Sequence, residues 1–199
     1  MKLYTFWRSQ AAFRVRIALN LKGLTREDIV INLDRGDQFK PEYRAQNPQA
    51  VVPTLYDGNA KLFQSVAILE YLEEKYPNPP LLPKEPGQKA KARILIDYGM
   101  SHFDGPYQKL RMELMKEQKD QNPQVIDDAK SELRKLLQRL ENEIGAQQYL
   151  MGDFSLVDAD LLPRFTRLEG FGVLPDPSLP RLGKYLERMK ARPSVKAIL

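Results

Sequence analysis

Apolar and polar positions alternate at the start of the chain, through Leu3, Tyr4, Thr5 and Phe6, as the two faces of a strand require. Polar Arg8, Ser9 and Gln10 interrupt the run, and apolar residues then return at helical spacing as far as Leu24. The predicted order is strand, polar corner, helix. Gly23 punctuates the end of that helix, and alternation resumes over Asp28 to Leu33 as a second strand. Residues 34–46 carry few apolar anchors, which predicts an irregular helix near the surface. Residues 54–56 and 61–63 form a hairpin turned at Asp57 and Gly58, while Pro53, which cannot donate to a ladder, belongs at an edge or special turn. From Gln64 onward Val66, Leu69 and Leu72 make a helical stripe, with Glu70, Glu73 and Glu74 on its polar side.

The first 76 residues therefore read βαβαββα. Pro77, Pro79, Pro80, Pro83 and Pro86 forbid a continuous helix and mark a linker. Everything beyond it has helical periodicity, over residues 88–117, 123–144, 155–169 and 179–192, with no internal repeat. The expected organisation is a small α/β domain over 1–77, a Pro-rich linker over 78–87 and an all-helical domain over 88–199. Ser155 and Asp158 have the spacing of a capping box, in which hydroxyl and carboxylate each satisfy a backbone N–H at a helix start.

Composition narrows the chemistry. With 42% hydrophobic and 29% charged residues the composition indicates neither disorder nor a membrane protein. No apolar run approaches the roughly 20 residues that span a bilayer, and the N-terminus lacks a signal-peptide core, so a cytoplasmic location is expected. The absence of Cys removes disulfides, thiolate metal sites and a Cys nucleophile, and a single His, His102, argues against a metal centre. Any thiol chemistry must use a thiol brought by a ligand. The net charge of +5 comes from Lys and Arg interspersed with Asp and Glu, which fits an anionic small ligand and gives no basic block for nucleic acid.

The corner at Ser9 is the strongest chemical candidate. A strand delivering a hydroxyl to a helix N-terminus places it where the peptide dipoles favour an anion. Ser9 reads either as an ordinary N-cap or as a hydroxyl that stabilises a thiolate. Trp7, Arg8 and Ser9, followed by Arg14, Val15, Arg16, Ile17, Ala18 and Leu19, resemble the signature of the zeta class of glutathione transferases, the class that includes maleylacetoacetate and maleylpyruvate isomerases. An α/β domain, Pro-rich linker and helical domain are also the layout of that superfamily, whose first domain is thioredoxin-like.

The resemblance implies glutathione as co-substrate or cofactor, a small electrophile as second substrate, and a homodimer. It places the thiolate-stabilising role on Ser9. It also implies a cis Val52–Pro53 bond whose exposed backbone pairs with glutathione, a γ-glutamyl site at Gln64 and Ser65, and contact of Gln38 with the glycyl end. Gln10 and Ala11 stand where zeta proteins commonly carry Ser and Cys. Arg8, Tyr98, His102, Tyr107 and Arg167 are candidates for the second-substrate pocket, and His102 reads as a packed side chain or as a general base.

The implied reaction is glutathione-dependent cis–trans isomerisation of a maleyl compound. Zeta isomerases hold the substrate carboxylates with the Arg of the first corner, here Arg8, and with a second Arg before a Phe on a helix of the second domain. Aligned through the capping box and Pro163, that second position falls on Gly170 before Phe171. Isomerisation is therefore expected to be weak or absent unless Arg167 or Arg164, one and two turns earlier, supplies the charge. The alternative is a binding or regulatory protein of this fold, resembling the stringent starvation proteins. Retention of Ser9, Gln64 and Ser65 argues against it.

Overall fold

A computed structural model describes residues 1–174 and 176–197; Ile198 and Leu199, assigned above to the helical domain, lie outside the described residues. The chain forms two compact units, Met1–Leu81 together with the segment from Arg192, and Leu82–Ala191. Among the described residues no helix is long and apolar enough to cross a membrane.

In the first unit, strand β1 (Lys2–Thr5) runs into helix α1 (Gln10–Leu21), which buries Phe13, Val15, Ile17 and Leu19. Strand β2 (Glu27–Val30) lies parallel to β1 and is shorter than the alternation predicts. The reason is local: Asn32 Oδ1 accepts the N–H groups of Asp34 and Arg35 and winds Leu33–Arg35 into a 3₁₀ turn. A second such turn (Asp37–Phe39) and the short helix α2 (Pro41–Arg44) fill the stretch read as an irregular helix.

Strands β3 (Thr54–Asp57) and β4 (Ala60–Phe63) form the hairpin, and helix α3 (Ser65–Lys75) follows. The turn falls on Gly58 and Asn59, one residue later than expected, with Gly58 at φ +60°. Asp57 stays in the strand, where its carboxylate accepts hydrogen bonds from Tyr71, Lys75 and Tyr76. The sheet order is β2-β1-β3-β4, with β1 antiparallel to β3 and β3 to β4.

The ends of α1 and α3 are tied by one buried cation. Lys22 Nζ donates to Glu73 Oε2 at 2.7 Å, to the Tyr76 carbonyl at 2.7 Å and to the Pro79 carbonyl at 2.9 Å, so each of its three protons has an acceptor. The sequence assigned everything after the linker to the helical domain, but helix α9 (Pro193–Lys196) packs on α1 in the first unit. Asn20 Nδ2 donates to the Ser194 carbonyl at 3.1 Å, and Val195 is fully buried.

The second unit opens with α4 (Pro86–Tyr98), capped by Glu85, and continues into α5 (Asp104–Leu114). The single long helix predicted there is broken at Gly99–Phe103 by a π-helical turn. Gly99 permits close packing: a Cβ on it would lie 3.0 Å from Leu161 Cδ2. Helices α6 (Pro123–Ile144), α7 (Leu156–Gly170) and α8 (Pro180–Ala191) complete the unit around Leu110, Leu133, Leu162, Phe165 and Tyr185. Both halves of the capping box are made, and Asp158 also accepts the Tyr185 hydroxyl at 2.8 Å. Burial raises the Asp158 carboxyl above its ordinary range even though these hydrogen bonds oppose the shift.

Candidate functional site

The sheet register explains how residues far apart in sequence leave from one place. Tyr4 pairs with Thr54 and Thr54 with Phe63, so one row crosses β1, β3 and β4. Just beyond that row, β1 leads to Ser9, Val52 and Pro53 lead into β3, and β4 leads to Gln64 and Ser65. Because β2 is parallel to β1, the chain toward Gln38 leaves from the same end. The candidate glutathione residues therefore share one end of the sheet, at the start of α1 and α3.

Ser9 is the N-cap of α1: its Oγ accepts the Ala12 N–H at 3.2 Å. An accepting role leaves the hydroxyl hydrogen free to donate elsewhere. Beside it, the Gln10 Nε2 is buried with no hydrogen-bond partner among the described residues. Arg8 pairs with Asp34 at 2.9 Å, with both side chains about half exposed (44% and 56%), and its guanidinium lies 5.6 Å from the Trp7 ring.

The Val52–Pro53 bond is cis. The Val52 N–H and C=O have no hydrogen-bond partner among the described residues, whereas the neighbouring Val51 carbonyl accepts from Tyr43 at 2.7 Å and Asn47 at 2.8 Å. Thr54 Oγ1 joins the same network, 3.0 Å from the Tyr43 hydroxyl and 3.2 Å from Asn47 Nδ2. Burial raises the Tyr43 phenol above its ordinary value against the opposing effect of its Thr54 and Asn47 hydrogen bonds. Sequence reasoning missed Tyr43 and Asn47 as supports of this loop; their positions in a polar surface stretch gave little signal beyond the Asn-Pro pair.

Gln64 adopts φ +70° and ψ 109°, a conformation that costs a side-chain-bearing residue of order 1–3 kcal/mol. It hands the chain directly to Ser65 at the start of α3, and its Nε2 donates to Gln49 Oε1 at 2.5 Å. Ser65 is 7% exposed and receives a hydrogen bond from Arg14 Nη1 at 3.3 Å. Gln38 lies in the Asp37–Phe39 turn with Oε1 buried and unpartnered among the described residues. An acceptor without a donor, a strand-like backbone without a partner and a helix N-terminus beside a buried cation together fit a peptide ligand bearing a carboxylate.

In the second unit the pocket candidates lie on and beside the π-helical turn and on α7. Tyr98 and His102 stack on each other, with Arg139 of α6 at 4.0 Å from the Tyr98 ring centroid. Tyr107 is buried between Phe103 and Phe171, at centroid distances of 5.6 and 5.5 Å, on the side of the α7 end. Arg167 is partly exposed on α7, and exposed Gly170 has open space at its Cβ position. Arg164 is unsuited to replace it: the side chain is fully buried, donates to Asp160 Oδ2 at 2.5 Å and lies 3.4 Å from Asp104.

The chain matches the glutathione S-transferase N-terminal domain model over residues 3–80 and the C-terminal domain model over residues 105–193. It is 36% identical to maleylacetoacetate isomerase of Pseudomonas aeruginosa over 98% of this chain and 94% of that protein. It is 38% identical to maleylacetoacetate isomerase of Rattus norvegicus over 95% of this chain and 88% of that protein. Among solved structures, maleylacetoacetate isomerase of Methylobacterium extorquens AM1 with bound malonate and glutathione superposes with a TM-score of 0.82 at 37% identity, covering 100% of this chain and 95% of that one.

Proposed function

Because the chain belongs to the glutathione S-transferase family, we propose that it is a zeta-class, glutathione-dependent isomerase converting a small maleyl compound to its trans isomer. The observation that carries this reading is that relatives named maleylacetoacetate isomerase align over nearly the whole chain, on both sides of the linker. A non-catalytic regulatory role is not favoured, since those full-length relatives are enzymes. Gly170 does not outweigh this support, and the expectation of weak isomerisation gives way to it.

Glutathione, when bound, supplies a thiolate that adds reversibly to a carbon–carbon double bond, which rotates while it is single and re-forms when the sulfur leaves. Ser9 donates its hydroxyl hydrogen to the sulfur, favouring the thiolate over the thiol, and the α1 N-terminus adds its positive field. The Val52 backbone pairs with the cysteinyl backbone as an added strand would. Gln64 and Ser65 hold the γ-glutamyl carboxylate, and Gln38 offers its unpartnered oxygen to an N–H of the glycyl end.

Arg8 in the first unit and Arg167 in the second are each candidates to meet a substrate carboxylate. The exposed Arg8–Asp34 pair is of a kind worth about 0–1 kcal/mol, so an arriving carboxylate can displace Asp34. Arg167 stands three residues before Gly170. Tyr98, His102 and Tyr107 are retained as pocket candidates only through their places on α4, the π-helical turn and α5. A homodimer and a cytoplasmic location complete the proposal, the former tested by sedimentation at micromolar concentration.

The deciding measurement follows maleylacetoacetate or maleylpyruvate spectroscopically with and without glutathione. Glutathione-dependent conversion is expected, with Arg167→Ala raising the substrate KM. Conjugation of a model electrophile without any conversion of either maleyl compound would make the protein a general glutathione transferase.

A further inference from the structure

Arg14 is only 4% exposed, yet its guanidinium reaches across 51 positions of sequence to Ser65 at the start of α3. We propose that Arg14 is a positioning residue for glutathione, orienting the Ser65 hydroxyl toward the ligand and placing a positive charge behind the α3 N-terminus. The inference rests on the reading that the γ-glutamyl carboxylate docks at Gln64 and Ser65.

A Ser hydroxyl has one hydrogen to donate and two acceptor sites. With an Arg14 N–H occupying one acceptor site, the Ser65 hydrogen cannot point back at the guanidinium, and the hydroxyl is set as a donor in another direction. The buried charge acts in the same sense. The first turn of α3 already presents free N–H groups and the positive end of the helix dipole, and a cation beneath it deepens the potential for an anion. A buried guanidinium is costly to keep, which a simple tie between two helices does not require, since apolar packing of equal volume would join them. The left-handed backbone at Gln64, the residue before Ser65, shows that this corner is held in one particular conformation.

A tie and a positioning residue differ in what they do to the folded protein. Loss of a tie lowers stability and leaves the affinity of folded molecules unchanged. Loss of a positioning residue weakens glutathione binding in the folded protein, for the larger part through Ser65. The test is a double-mutant cycle on the full chain: Arg14→Gln, Ser65→Ala and both together, with glutathione Kd from calorimetry, kcat at saturating glutathione and folding checked by circular dichroism.

Each single variant is expected to bind glutathione about tenfold more weakly, and the double variant about as weakly as either single one, with kcat within about threefold. Folded Arg14→Gln with the parent affinity, or a double variant weakened about a hundredfold, overturns the inference. If Arg14→Gln does not fold, Arg14→Lys carries the same cycle; the expectation is about threefold weaker binding alone and no further loss beside Ser65→Ala, and equal losses in both backgrounds overturn it. Failure of the unaltered protein to bind glutathione would remove the proposed function and this inference together. Normal binding with uncoupled variants removes this inference alone.

Discussion

The rings of Tyr98 and His102 stack with centroids 4.5 Å apart, and His102 Nδ1 lies 3.3 Å from the Tyr98 carbonyl oxygen. His102 stands in the π-helical turn that begins directly after Tyr98, four residues on, where the two side chains share one helix face. An imidazole that donates to a backbone carbonyl of its own helix and rests on a neighbouring ring already has a local structural role. His102→Gln is therefore expected to keep kcat/KM within about threefold of the parent, since general-base catalysis typically contributes 10²–10⁴-fold. A loss of a hundredfold or more in steady-state assays would restore His102 to the chemistry.

Ser9 has two duties that a pair of substitutions separates. Ser9→Ala removes both cap and donor, at a stability cost of about 1 kcal/mol. Ser9→Asp keeps a side chain that caps well and places a negative charge where the thiolate forms. Both variants are expected to lose roughly 10–1000-fold in turnover while glutathione affinity changes by several-fold at most, and only the Ala variant should melt earlier. Unchanged turnover in Ser9→Ala would leave Ser9 as a cap alone.

At Gln64 stability and binding pull apart. Gln64→Gly relieves the positive φ and is expected to raise Tm by a few degrees, on the order of 1 kcal/mol. The same substitution, like replacement of Gln64 and Ser65 together by Ala, should raise the glutathione KM with a smaller effect on kcat, because these groups act far from sulfur. An unchanged KM in the double Ala variant would show that the γ-glutamyl end is held elsewhere.

Asp57 gives a pH-dependent prediction. Burial pushes its carboxyl up, but hydrogen bonds from Lys75, Tyr76 and Tyr71 outweigh that and hold it below the ordinary value of 3.8. A depressed carboxyl contributes stability that is fully present above 3.8 and is lost as pH falls through its lower folded value. Asp57→Asn should therefore cost about 1–3 kcal/mol in urea unfolding near neutrality and progressively less below that value. An equal cost at both ends of this range would mean that the carboxylate charge is irrelevant there.

What could be read from sequence was what local pattern encodes. Alternation, helical stripes and the Ser155–Asp158 spacing fixed element order because each depends on residues a few positions apart. Arg14 was visible only as part of a helix signature, since its partner Ser65 lies on another element. Likewise the helical pattern of residues 88–117 hid the π-helical turn, at whose start Gly99 packs closely on Leu161 of another helix. Around that turn Tyr98, stacked with His102, meets Arg139 of α6, and Tyr107 stacks on Phe171.

The return of α9 to α1 has a consequence for the order in which the protein is made. The second unit, Leu82–Ala191, is an insertion within the first, and every residue of it has been synthesised before Ser194 can accept the Asn20 amide. A ribosome therefore releases the material of the sheet first and its closing helix last, and the helical unit is free to mature while the α/β unit still waits for its final contact. The thioredoxin-like unit thus has a boundary in space that no single cut in the chain reproduces: a fragment ending at Leu81 would carry Ser9, Val52 and Ser65 but lack Val195, which is fully buried in the intact protein.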